Sequence, residues 1–168
     1  MHERIARIDV LLLDVDGVLT DGSIVYTDNR VELKRFHVRD GSGLKLWGLA
    51  GKRSAIITGR TSSAVEVRAM ELGVGLVIQG AADKRMAFER VLADYAVGPE
   101  QVCCIGDDVP DLPLLKRSGL AAAVADACPE ARTAAHYVTQ APGGRGAVRE
   151  VIELVLRCQG HWQRLLAT

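Results

Sequence analysis

Six short apolar runs punctuate the chain: Ile8–Leu13, Ser54–Thr58, Gly75–Ile78, Val102–Ile105, Leu120–Val124 and Tyr137–Thr139. They are nearly continuous in hydrophobicity rather than alternating, the pattern of strands buried on both faces of a parallel sheet. Between them the apolar spacing changes to that of helices. Phe88, Val91, Leu92 and Tyr95 fall at i, i+3, i+4 and i+7, and Val148, Val151, Ile152, Val155 and Leu156 repeat the spacing near the C-terminus. Strands alternating with helices predict an α/β fold, a parallel sheet flanked by helices. One segment breaks the rhythm. Ser23–Thr27 and Val31–Phe36 flank Asp28-Asn29-Arg30 and predict a β-hairpin where the first crossover helix would stand.

The 168 residues suffice for one domain with one core, and no internal repeat or linker divides them. Lys plus Arg and Asp plus Glu are equal at 21 each, a balance that points to neither nucleic acid nor membrane as partner. No apolar run reaches membrane-spanning length and Met1–Arg7 is no signal peptide, so a cytoplasmic protein is expected. Cys103, Cys104, Cys128 and Cys158 form no C-x-x-C pair and read as reduced thiols. His2, His136 and His161 show no ligand spacing.

In an open parallel sheet, ligands bind beyond the carboxyl ends of the strands. The residues there are Asp14 and Asp16 after the first run, Thr58 after the second, and Asp107 and Asp108 after Val102–Gly106, with Lys84 opening a helix behind the Gln79–Ala82 loop. Asp14-Val15-Asp16-Gly17 by itself could be a strand end and a turn. A second acidic strand end, Gly106-Asp107-Asp108-Val109-Pro110-Asp111, weighs against that reading. Carboxylates brought this close repel and call for a cation, and hard oxygen donors without His or Cys suit Mg²⁺. Thr58-Gly59-Arg60 offers a hydroxyl and a fixed positive charge, groups that bind phosphate oxygens.

Taken in order, Leu13–Thr20, Thr58-Gly59-Arg60, Lys84 and Gly106–Asp111 resemble the motifs of the haloacid-dehalogenase superfamily of phosphatases. The resemblance implies a Rossmann-like fold in which Asp14 is the nucleophile and becomes phosphorylated. It makes Asp16 the general acid and base, and Thr58 and Lys84 the groups that bind the phosphoryl oxygens. Mg²⁺ would be held by the carboxylates of Asp14 and Asp107 and the backbone carbonyl of Asp16, with Asp108 and Asp111 supporting the site from behind. No stretch is long enough for a cap domain, so a neighbouring subunit is expected to screen the site. The expected chain is one domain, 1–168, with a hairpin flap at about 21–36 and a C-terminal tail at about 142–168.

Further features resemble one capless family, the 3-deoxy-D-manno-octulosonate 8-phosphate phosphatases of lipopolysaccharide biosynthesis. These are Asp21-Gly22 with its hairpin, Phe36–Gly41, Thr58-Gly59-Arg60 and Gly143–Glu150. That resemblance implies a homotetramer acting on a small sugar-acid phosphate. Asp16, His37, Val38, Arg39, Asp40, Gly41, Lys45, Arg60, Arg68 and Lys84 would line the substrate site, and Gly143–Arg149 would approach the site of a neighbour. His161–Thr168 resembles nothing in that family. Phosphatases of nine-carbon sialic-type 9-phosphates share the architecture but tend to carry Glu in place of Arg60. A catalytically silent assembly domain of the same fold would not need the complete set of Asp14, Asp16, Thr58, Lys84 and Asp107. A receiver domain would carry its phosphoacceptor Asp near mid-chain, where no strand ends in Asp.

Overall fold

The computed structural model describes residues 1–167. A short helix α1 (His2–Ala6) leads into β1 (Val10–Leu13); β2 (Val25–Tyr26) and β3 (Glu32–Leu33) follow, then α2 (Val38–Leu49) and β4 (Arg53–Ile57). Next come α3 (Ser63–Leu72), β5 (Leu76–Ile78), α4 (Lys84–Tyr95) and β6 (Val102–Gly106). The C-terminal part holds α5 (Leu112–Leu115), β7 (Leu120–Ala123), α6 (Pro129–Ala134), β8 (Tyr137–Val138), α7 (Ala147–Cys158) and α8 (Trp162–Leu166).

Six strands form one sheet in the order β5-β4-β1-β6-β7-β8, every pairing parallel. The α/β class and the strand positions agree with the pattern of apolar runs. The buried faces explain why those runs read as continuous: every residue of β1, β6 and β7 is buried. The first strand starts later than its apolar run because the Ile8 N–H bonds back to the Ile5 carbonyl and closes the turn of α1. Pairing with the sheet begins at Asp9, which donates to the Gln101 carbonyl.

The hairpin ladder is shorter than its sequence predicts. It holds only Val25↔Leu33 and Tyr26↔Glu32, closed by the Thr27 N–H to the Val31 carbonyl at 2.9 Å. Lys34 lies just beyond the ladder, and its ammonium meets the Asp16 carboxylate.

Helix α7 buries Val148, Val151, Ile152, Val155 and Leu156, the face its spacing predicts, and packs chiefly against α2. Its start is anchored from a distance: Asp40, at the beginning of α2, accepts from Gly146 N at 3.1 Å and Arg149 N at 2.8 Å. The last short helix is tied down as well. Trp162 is buried, with the Arg149 and Arg157 guanidinium groups 5.1 and 4.5 Å from its ring centre. No helix among the described residues is long and apolar enough to cross a membrane.

Candidate active site

Strand register assembles the site. Leu13 of β1 is level with Ile56 of β4 on one side and Ile105 of β6 on the other. Strands β4 and β6 each run one residue beyond this level, to Ile57 and Gly106, so Asp14 leaves β1 one position after it and Thr58 and Asp107 leave their strands two positions after it. All three emerge at the carboxyl edge, where the strand order reverses about β1. Together with Asp16, Gly59, Arg60, Lys84, Asp108, Pro110 and Asp111 they line a cleft of about 190 Å³.

The loop after Asp14 must turn at once. Its N–H groups converge on the Val15 carbonyl, from Val18, Leu19 and Thr20 at 3.2, 2.9 and 3.0 Å. Gly17 adopts φ +93°, and a Cβ there would stand 2.1 Å from Asp107 Oδ2, so glycine is required on both counts. The Pro142–Gly146 loop supports this turn in the same chain: Gly144 N donates to the Val18 carbonyl at 2.9 Å, and a Cβ on Gly143 would lie 1.7 Å from the Gly17 carbonyl oxygen.

Lys84 is the buried cation of the cleft. Helix α4 begins with it, behind an Asp83 cap that accepts from Arg85 N. Its Nζ lies 2.9 Å from Asp14 Oδ1 and 2.6 Å from Asp111 Oδ1. Burial alone would lower its pKa; the charges of Asp14 and Asp111 override that and hold it near 12. The Asp14 carboxyl is pushed up to about 6 by burial and then by the Asp111 charge, against the pull of Lys84. Asp107 is pushed up to about 8 by burial and by Asp14, Asp111 and Asp108.

Burial is the larger cause of both shifts, and the crowding of carboxylates adds to it. The observation bearing most directly on a cation is Asp107 Oδ1, a buried oxygen with no hydrogen-bond partner among the described residues. Carboxylate oxygens of Asp14, Asp107 and Asp111 lie within 4.8 Å of one another. Asp111 is already committed: Oδ1 takes Lys84, and Oδ2 accepts from Asp107 N at 3.0 Å and Asp108 N at 3.4 Å. Asp14 and Asp107 are thus the carboxylates left to face a cation, and their all-oxygen donor set fits Mg²⁺. Asp108 is exposed and accepts from Val109 N at 2.8 Å, starting the turn that carries Asp111.

The remaining sequence candidates lie elsewhere in the chain. His37 stands at the start of α2, Val38 and Lys45 are exposed on that helix, and Arg68 projects from α3 beside the Phe36 ring at 5.9 Å and Glu71 at 3.1 Å. Gly41 lies beneath Arg68, whose Nη2 would be 2.3 Å from a Cβ added there. Arg39 lines a separate cleft of about 490 Å³ with Arg145, Arg149, Glu150 and Glu153. Asp40, expected at the substrate, is buried, and its carboxylate is engaged by the backbone of α7. Burial raises its pKa, opposed by the Arg149 and Gly146 N–H groups.

Sequence reasoning missed three residues of the hairpin. Lys34 Nζ lies 2.5 Å from Asp16 Oδ1, and Glu32 Oε1 lies 2.7 Å from Arg60 Nη2. Tyr26 Oη accepts from the same Arg60 nitrogen at 3.1 Å. The Arg60 hydrogen bond holds the Glu32 carboxyl below its usual value. The signal was present as a period of two, since Glu32 and Lys34 share one side of the strand and the exposed Leu33 takes the other.

The comparisons with known proteins agree with this geometry. A model for haloacid dehalogenase-like hydrolases matches residues 54–152. The chain is 47% identical over 157 residues to 3-deoxy-D-manno-octulosonate 8-phosphate phosphatase of Yersinia pestis, covering 94% of this chain and 84% of that one. Among solved structures, the Moraxella catarrhalis 3-deoxy-D-manno-octulosonate 8-phosphate phosphatase with magnesium, phosphate and KDO superposes with a TM-score of 0.96 at 38% identity, covering 99% of this chain and 95% of that one. The cobalt-bound deoxy-D-mannose-octulosonate 8-phosphate phosphatase of Haemophilus influenzae superposes with a TM-score of 0.90 at 38% identity, covering 94% and 92%.

Proposed function

Because this chain belongs to the 3-deoxy-D-manno-octulosonate 8-phosphate phosphatases of the haloacid dehalogenase-like hydrolases, we propose the following course for its reaction and the following residues to carry it. The chain hydrolyses 3-deoxy-D-manno-octulosonate 8-phosphate to the free sugar acid and phosphate, a step of lipopolysaccharide biosynthesis, and it depends on Mg²⁺. The observation that carries the reading is the convergence of Asp14, Asp16, Thr58, Lys84 and Asp107 at one sheet edge.

Asp14 is the nucleophile. A carboxylate oxygen attacks phosphorus, the bond from phosphorus to the sugar oxygen breaks, and Asp16 gives a proton to that departing oxygen. Water then attacks the phosphorylated Asp14, yielding its proton to Asp16, and the bond between phosphorus and Asp14 breaks to release phosphate. Lys84 and Thr58 bind the transferring oxygens; Lys84 also keeps Asp14 ionised and oriented before the substrate arrives. The Asp14 and Asp107 carboxylates and the Asp16 carbonyl would hold Mg²⁺, which when bound would supply positive charge where negative charge gathers on the phosphoryl group. Asp111 orients Lys84 and the backbone of Asp107.

The sugar acid needs cations beyond those serving its phosphate. Arg60 lies in the cleft and is assigned to it. His37, Val38, Arg39, Asp40, Gly41, Lys45 and Arg68 lie outside the cleft of their own chain, so we assign them to a sugar site completed by a neighbouring copy. The hairpin supports assembly: Ile24, Val25, Tyr26, Val31 and Leu33 are all 44–58% exposed, an apolar surface suited to another copy of the chain. A homotetramer in the cytoplasm is the expected form.

The test is phosphate release with Mg²⁺, comparing the eight-carbon acid phosphate with a nine-carbon sialic-type 9-phosphate and simple sugar phosphates. Preference for the eight-carbon acid supports the assignment. Preference for the nine-carbon acid keeps the chemistry and overturns the substrate.

A further inference from the structure

The hairpin brings a buried lysine to Asp16, and nothing in the reaction as described uses it. Lysine is rarely buried without a partner. The Lys34 side chain is 2% exposed, and its ammonium meets Asp16 Oδ1 at 2.5 Å. Arg60 Nε faces the other oxygen, Oδ2, at 3.7 Å. Both oxygens of Asp16 are therefore addressed by cations from different elements, one from the hairpin and one from the loop after β4. Glu32 Oε1 links the two cations, 3.5 Å from Lys34 and 2.7 Å from Arg60. The order Lys34, Glu32, Arg60 makes a bridge of alternating charge across the cleft mouth, with Asp16 between its ends.

Asp16 needs such a restraint. It lies in a loop between the end of β1 and Gly17, and no hydrogen bond from the backbone to its carboxylate appears among the described residues. A carboxylate that must deliver a proton to a departing oxygen, and then receive one from water, has to keep its rotamer through both events. The geometry points to Lys34 as a positioning residue for the reaction: it holds the Asp16 carboxylate in the orientation from which protons are exchanged with the leaving oxygen and the attacking water. Lys34 acts through Asp16, while Lys84 and Thr58 serve the phosphate. The inference rests on the reading of Asp16 as general acid and base, and it gives the hairpin a chemical task besides covering the cleft.

The experiment compares Lys34→Met with the parent chain in both the native and the Asp16→Asn background. The readout is kcat/KM on three substrates: the eight-carbon acid phosphate, a sugar phosphate without a carboxylate, and p-nitrophenyl phosphate. The nitrophenolate departs without protonation, so it reports attack by Asp14 without help from Asp16. Lys34→Met is expected to lower kcat/KM by about 10- to 100-fold on both sugar phosphates, and by less than about threefold on the aryl phosphate. In the Asp16→Asn background it should cost nothing more, since residues acting as a unit are not additive. Equal losses on all three substrates would overturn the proposal and make Lys34 a phosphate-binding or purely structural cation. Loss on the eight-carbon acid alone would overturn it in favour of a carboxylate contact. A full further loss in the Asp16→Asn background would also overturn it. An Asp16→Asn chain that turns over sugar phosphates normally would instead refute the role of Asp16 itself.

Discussion

The Lys84 ammonium stands 2.9 Å from Asp14 Oδ1, and both side chains are about nine-tenths buried. A single cation thus holds the Asp14 carboxylate and, through Asp111 at 2.6 Å, the turn that presents Asp107. Lys84→Met leaves two buried carboxylates without their counter-charge. Turnover should fall by about 10²- to 10³-fold. Stability in the metal-free protein should fall by about 3 kcal/mol at about pH 8, measured by urea unfolding. Near pH 5 the loss should shrink, because Asp14 then takes up a proton instead.

The acidic cleft makes the metal-free protein sensitive to pH. Asp14 and Asp107 are both raised above the ordinary 3.8, to about 6 and about 8. Carboxyls raised in this way favour the folded chain while protonated. Their contribution is complete below the ordinary value and is lost as pH rises through the two folded values. The Tm of metal-free protein should therefore fall between about pH 4 and about pH 8. Mg²⁺ replaces those protons, so its stabilising effect should be greater at pH 8 than at pH 5. A Mg²⁺-induced rise in Tm of the same size at both pH values would contradict the charge distribution.

Gly143 packs its α-carbon onto the turn that follows Asp14. A Cβ there would meet the Gly17 carbonyl oxygen at 1.7 Å and the Thr20 carbonyl oxygen at 3.2 Å, backbone atoms that cannot swing aside. Gly143→Ala should destabilise the chain by about 1–3 kcal/mol and lower kcat more than it changes KM. Thermal unfolding and steady-state kinetics check both. Unchanged kcat would show that the loop tolerates displacement.

How much of this was legible before the fold was known differs from residue to residue. Asp14, Thr58 and Asp107 could be read because each ends a buried apolar run, and a parallel sheet brings such ends to one edge. Lys84 could be placed because it opens a helix after a loop. Lys34 and Glu32 left only a faint signal: their spacing of two puts them on one side of the strand, but two charges on a short, exposed hairpin look like solvated positions, and the fold of that hairpin over the cleft is what turns them inward. The helix contacts of Asp40 were hidden for a different reason. Its partners Gly146 and Arg149 lie 106 and 109 residues further along the chain, and no local pattern announces a cap at that separation.

Asp40 gives a prediction that separates folding from substrate contact. Asp40→Ala removes the acceptor for two N–H groups at the start of α7. It should cost about 1–2 kcal/mol, measured by chemical denaturation. Through this role alone, its effect on KM should be the same for the eight-carbon acid phosphate and p-nitrophenyl phosphate. A rise in KM confined to the sugar acid would show that Asp40 also meets substrate.

The central claim is that Asp14 itself takes the phosphoryl group. The most direct measurement is the stereochemical course at phosphorus, using an isotopically chiral phosphate ester hydrolysed in labelled water with Mg²⁺ present. Two successive in-line displacements, first by Asp14 and then by water, predict net retention of configuration. Net inversion would mean that water attacks the substrate directly, and would contradict the assignment of Asp14 as nucleophile.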